Sequence, residues 1–156
     1  MTGDESGAAV PRRREIRMTG DEQAAFLRDN SKCALATTDQ DGYPHVVAMG
    51  FYVEDGAFWM TSYAKAQKVL NIRRNPKVAL MVETGASYAE LRGVMVRGAC
   101  EIIEDVEIVR QVMNHRRSAA ESGRRGALDS ATKRVVLKIT PHKTVSWDHK
   151  KLGGRY

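Results

Sequence analysis

The residues best suited to chemistry lie between Trp59 and Pro76. A strand-like run ends in Thr61-Ser62, a polar turn carries Lys65, and Gln67, Lys68, Asn71, Arg73 and Arg74 follow before Pro76 closes a short helix. Hydroxyls, amides and cations gathered at a helix start suit a phosphorylated ligand. Backbone N–H groups without intrahelical partners and the positive end of the helix accept the anion, and a lysine adds full charge. The same spacing fits an ordinary solvated helix, so the elements around the segment decide its meaning.

The chain has 156 residues and a formal charge of +6, with 42% hydrophobic residues. That length is enough for one domain with a real core. A basic balance points to an anionic partner: nucleic acid, a membrane surface or a phosphorylated cofactor. The basic residues fall in three separate places, Arg12 to Arg17, Lys65 to Lys77 and Arg116 to Arg125, without zinc-ligand spacing, a basic zipper or an RNA-binding aromatic signature. The expectation is no nucleic acid. No apolar run approaches the roughly 18 residues of a membrane span, so no membrane association is expected. Cys33 and Cys100 lie far apart within apolar runs, which reads as two reduced, buried thiols in a cytoplasmic protein. No metal-ligand spacing is present.

Residues 1–17 read as a flexible basic arm, and residues 18–156 as the folded domain. Thr19-Gly20-Asp21-Glu22 opens a short helix ending near Asp29-Asn30. Lys32 to Thr38 reads as a strand, Asp39 to Gly42 as a hairpin turn, Pro44 to Glu54 as one strand, and Ala57 to Ser62 as the next. Lys77 to Glu83 and Leu91 to Glu104 follow, with Gly93 and Gly98 marking bends or bulges, and then a helix over 105–120. A Gly/Arg-rich loop over Ser122 to Asp129 precedes a last strand, Arg134 to Trp147, with Pro141 at an edge or bulge; the tail from Asp148 reads as irregular. The fold expected is mainly β (α+β): a six-stranded antiparallel barrel with short flanking helices. So small a barrel has little interior room, which places a large ligand outside, where a second subunit could cover it.

Taken in order, these segments resemble the pyridoxamine-phosphate-oxidase-like split β-barrel superfamily, and within it the actinobacterial flavin/deazaflavin oxidoreductases. The resemblance runs from about Asp21 to Tyr156. It rests on Ala34-Leu35-Ala36-Thr37, Asp41 to Met49, Phe58 to Ser62, and Gln67 to Leu80. It implies a homodimer with cofactor sites at the subunit interface. It further implies that Thr61, Ser62, Gln67, Lys68 and Asn71 grip the phosphate or phospholactyl group. His45, Val46, Val47, Ala48 and Met49 would run beside the ring, and Arg92 and Trp147 would contribute from across the dimer.

Relatives divide chiefly between FMN and the deazaflavin F420. The pattern Lys68-x-x-Asn71-Ile72-Arg73-Arg74-Asn75-Pro76 resembles the F420-using branch more closely, and a net-positive groove suits the poly-γ-glutamate tail of F420. FMN needs one phosphate, which Lys68 and the helix start could satisfy alone. The family often carries Arg two residues before this lysine. Here that position is Ala66, with Lys65 supplying charge one residue earlier. The chain ends without the extended C-terminal substrate-binding sequence of the vitamin B6 oxidases, which argues against pyridoxamine phosphate as substrate.

The activity implied is an F420-dependent reductase passing a hydride to a small organic acceptor. An FMN-dependent oxidoreductase and a non-catalytic cofactor-binding or storage protein stand as alternatives. Such cofactors carry the chemistry themselves, so no catalytic dyad is required, and none of the hydrolase or metalloprotease motifs is present. His45 is the candidate proton donor; the plainer reading is a strand-start histidine facing solvent or a partner. Tyr63 and Tyr88 could cover a ring or simply pack.

Overall fold

The computed structural model describes residues 12–118 and 130–154. Residues 1–11 of the expected arm, and the expected Gly/Arg-rich loop, lie outside the described residues. From Arg12 the chain forms a single helical turn, α1 (Arg12–Glu15). The carbonyl of Ile16 then accepts a hydrogen bond from the Asp148 N–H at 2.7 Å, which ties this end to the last strand.

Helix α2 (Gly20–Arg28) starts where the sequence places it. Thr19 accepts from the Glu22 N–H, and the Glu22 carboxylate accepts from the Thr19 N–H, a reciprocal cap. The amphipathic helix buries Phe26. Strand β1 (Lys32–Thr38) turns through Asp39, whose carboxylate accepts from the Asp41 and Tyr43 N–H groups. The chain returns as β2 (Pro44–Gly50), paired antiparallel with β1.

Here the structure departs from expectation. Pro44 to Glu54 is not one strand: it breaks at Phe51, and β3 (Tyr52–Glu54) pairs instead with β4 (Ala57–Tyr63). With β5 (Lys77–Thr84), β6 (Arg92–Ile103) and β7 (Arg134–Asp148), the sheet has seven strands in the order β2-β1-β5-β6-β7-β4-β3. Strands β2 and β3 are neighbours in sequence yet occupy opposite ends of that order. One residue can join them only if the sheet curls until its ends meet. Phe51 makes the joint: its N–H bonds the Ser31 carbonyl, and its ring packs against Phe58 with centroids 5.5 Å apart.

Helix α3 (Gln67–Arg74) follows β4, and α4 (Val106–Ser118) follows β6. Val69 and Ile72, three residues apart, bury one face of α3 in the barrel core among Leu35, Met60, Leu80, Val96 and Leu137. Asn75, before Pro76, is extended and ends the helix. A smaller core under α4 joins Val109, Val112 and Val136, with Trp59 and Ile103 against it.

The register between β6 and β7 shifts at Arg97/Gly98, where Gly98 faces Pro141 and Arg97 faces Lys143, so His142 is the extra residue of a bulge. Gly93 marks no bulge. It makes room for the Trp147 ring: a methyl group at residue 93 would sit 2.2 Å from it. The tail is more ordered than expected. Residues His149–Leu152 form a 3₁₀ turn that buries His149 and Leu152. Cys33 and Cys100 are free and buried, and burial pushes their thiols up to about 11 and about 12. Among the described residues no helix is long and apolar enough to cross a membrane.

Candidate functional site

The site is assembled where β4 hands over to α3. Ser62 is nearly buried on the face of β4 that α3 covers, and its hydroxyl accepts a hydrogen bond from Lys68 Nζ at 3.3 Å. Lys68 is half-buried and has no carboxylate partner among the described residues. Desolvation therefore holds its ammonium below the ordinary lysine pKa. Lys65 in the preceding turn and Gln67 at the first position of α3 are exposed, and Ala66, the residue before the helix, offers no side-chain cap. A partly desolvated cation, a hydroxyl and an uncapped helix start share one short segment. Such a cradle has positive ends and no anion of its own.

Thr61 is placed differently from expectation. Strand alternation turns its side chain to the opposite face of β4 from Ser62, the face that carries Trp59 and α4. Asn71 also departs from it. Its side chain is fully buried: the amide oxygen accepts from Gln67 Nε2 at 2.8 Å and Arg74 at 2.7 Å, while Nδ2 donates to Thr37 Oγ1 at 3.0 Å. Such an amide has no exposed atom for a ligand. It is a positioning residue, pinning α3 to β1. Thr37 continues the connection, its hydroxyl 3.5 Å from the His45 carbonyl.

Along β2 the side chains alternate. Val46 and Ala48 face outward, Met49 is buried, and His45 and Val47 are half-buried on the inward side. Only the outward pair, with the backbone, can lie beside an external ligand. His45 Nδ1 is buried with no hydrogen-bond partner, so this nitrogen is turned into the protein. Val46 and Ala48 share a shallow, small-residue surface with Ala34 and Met81.

Arg92 and Trp147 are not brought to this site within one chain. Arg92 opens β6 while Ile103 closes it, and Ile103 faces Val136, the residue opposite Thr61. Arg92 and Trp147 therefore occupy the far end of the sheet. Arg92 Nε donates to Asp148 at 2.9 Å and its guanidinium lies over the Phe26 ring.

Sequence reasoning missed Thr37 and Arg134, and it named Arg74 only as one of the helix cations, without its bond to Asn71. Thr37 and Asn71 are 34 positions apart, and nothing local signals their pairing. Arg134 stacks over the exposed Tyr63 ring, 4.0 Å from its centroid, because β7 places it directly opposite.

A second feature lies near the other end of α3. Ala36, Ala79 and Gly98 line a cavity of about 610 Å³ whose rim carries Lys77, Arg97, His142 and Lys143 and no carboxylate. His142, the extra residue of the bulge, lies on this rim.

Known proteins are similar to this chain in sequence and fold. The family model described as pyridoxamine 5'-phosphate oxidase matches residues 19–148. A pyridoxine/pyridoxamine 5'-phosphate oxidase of Rhodopseudomonas palustris (strain BisB5) is 32% identical over 108 residues, 68% of this chain and 49% of that protein. The chain thus spans about half the length of that curated relative. Among solved structures, the conserved hypothetical protein Rv2991 of Mycobacterium tuberculosis has a TM-score of 0.82 and 36% identity, over 91% of this chain and 92% of the other. An F420 reductase has a TM-score of 0.63 and 28% identity, over 77% of this chain and 93% of that one. With the matched segment running from the cap of α2 to the end of β7, the chain belongs to the pyridoxamine 5'-phosphate oxidase family.

Proposed function

We propose that this protein is an oxidoreductase that binds the deazaflavin F420 between two copies of the chain and serves hydride transfer to a small organic acceptor. The carrying observation is the cradle at the start of α3: Lys68, half-buried and without a carboxylate, set 3.3 Å from Ser62 at an uncapped helix end. Those residues fit a phosphate diester or monoester. Lys68 and Ser62 would hold its oxygens, with Lys65 and Gln67 at the mouth. Bound there, a deazaflavin or flavin supplies the hydride chemistry.

The residues of the chain bind, orient and exclude water. Asn71 and Thr37 keep α3 at a fixed distance from β2, so the phosphate clamp and the outward strip of Val46 and Ala48 stay in register. The exposure of Val46 and Met81 on this strip supports covering by a second copy. Preference for F420 over FMN is supported by the rim of Lys77, Arg97, His142 and Lys143, which provides cations beyond the need of one phosphate. The similarity to an F420 reductase agrees with that preference.

Titrating the purified protein with F420 and with FMN, followed by absorbance and fluorescence, tests this reading. Tighter binding of F420, and oxidation of its reduced form by an added acceptor, is the expected result. A yellow protein that retains FMN and binds it more tightly than F420 reverses the cofactor. Binding without turnover across a broad acceptor panel favours storage.

A further inference from the structure

A second cavity lies at the far end of β2 from His45, where α2, the Phe51 joint and the end of α4 converge. Its volume is about 320 Å³, and its lining includes Arg28, Arg116, His115, Tyr52, Phe51 and Leu27. No carboxylate lines it. Arg116 is the informative member. It belongs to the last turns of α4, where the helix end favours a cation, but that does not explain why its guanidinium turns back over the barrel. It lies directly on Gly50: a methyl group at residue 50 would come within 1.8 Å of a guanidinium nitrogen. There it also acts on the buried Cys33 thiol, opposing the effect of burial. Among the described residues no carboxylate neutralises Arg116 or Arg28. Two guanidinium groups on one small cavity select an oxyanion with forked geometry, and a carboxylate matches it.

The lining also includes the aromatic rings of Phe51, Tyr52 and His115. Trp59, Tyr52 and His115 form a column, with Tyr52 and His115 rings 3.9 Å apart and within 21° of parallel. Leu27, Phe51 and Val53 supply the apolar surface. Flat apolar walls beside paired cations match a planar ring bearing one carboxylate, and the cavity is of the size that holds a single substituted ring.

We infer that this cavity is a binding site for a small aromatic carboxylate, separate from the phosphate cradle on α3 and independent of which cofactor that cradle takes. Arg116 and Arg28 hold the carboxylate, and the Tyr52–His115 stack receives the ring.

Benzoate is the probe, with benzamide as its uncharged counterpart, titrated into the full chain by calorimetry or by NMR shift changes. Benzoate is expected to bind at least about tenfold more tightly than benzamide. Arg116→Gln and Arg28→Gln should each weaken benzoate about tenfold while leaving FMN and F420 affinity unchanged. Gly50→Ala supplies an independent variant, because it displaces the Arg116 guanidinium without removing its charge, and it should weaken benzoate likewise. Equal affinity for benzoate and benzamide overturns the assignment, as does absence of benzoate binding at about 10 mM. Unchanged benzoate affinity in the folded variants, or displacement of benzoate by FMN or F420, overturns it too.

Discussion

Two regions of this molecule are rich in cations, and they treat them differently. Where the C-terminal turn clasps α2, cations are matched within the chain: Arg92 with Asp148 at 2.9 Å, and Lys151 with Glu22 at 2.6 Å. Glu22 responds with a pKa below the ordinary value, chiefly through its hydrogen bond from Lys151. At the start of α3, Lys68 meets a neutral hydroxyl, and Lys65 stands exposed in the turn. A matched cation closes a structure. One held half-buried beside a hydroxyl keeps its attraction for an anion from outside. Under the proposed function, the contrast separates residues that hold the fold from those that would serve the ligand, and the burial of Asn71 puts it in the first group although it sits in the middle of the second.

Asn71→Ala gives the largest expected effect. It leaves Gln67, Arg74 and Thr37 without their shared partner and should cost about 3 kcal/mol of stability, read as a lower midpoint in denaturant unfolding. A variant of unchanged stability that loses only cofactor affinity would return Asn71 to the ligand side.

Arg92→Met should cost about 1 kcal/mol, since the pair with Asp148 is only partly buried. Its cofactor affinity should stay within about twofold of the parent. A larger loss by fluorescence titration breaks the comparison, because it shows a paired cation serving the ligand across a subunit boundary.

The smallest effect is in the pH profile. In the unliganded protein, desolvation holds the Lys68 pKa below the ordinary lysine value. Its charged form therefore costs the fold some stability at neutral pH, and that cost is relieved as pH rises through the lowered value. Phosphate-ligand affinity moves the other way, falling over the same range as the ammonium is lost. Lys68→Arg should flatten this fall, since a guanidinium keeps its charge throughout; an unaltered profile would detach the titration from Lys68.

Much of this architecture is legible along the chain because it is local. The Thr19/Glu22 cap, the Asp39 to Gly42 turn and the stop at Pro76 each follow from a few adjacent residues, and Gly98 and Pro141 each signal an irregularity in their own strand although their meeting is long-range. The break at Phe51 is not legible, because PHVVAMGFYVE reads as strand on both sides of Gly50, a lone glycine is tolerated within a strand, and only closure of the sheet forces the joint. The tail was unreadable for a similar reason: His149 is buried by Tyr88 and Leu91, which the chain reaches about 60 residues earlier. In the site, Ser62 and Lys68 are legible as members of one polar and basic segment, but their bond to each other is not. The facing of Thr61, the burial of Asn71 and the role of Thr37 depend on which side of a strand or helix meets the core.

The central claim, that an anion from outside completes the α3 cradle, is tested most directly by comparing Lys68→Ala with Lys151→Ala. Each variant is measured for F420 and FMN affinity and for unfolding midpoint. Lys68→Ala is expected to lose about 30-fold in affinity for whichever cofactor binds, about 2 kcal/mol, with a midpoint equal to the parent's or slightly higher, because the cost of the desolvated charge is removed. Lys151→Ala should bind as the parent does. Equal cofactor affinity in Lys68→Ala and the parent would contradict the account.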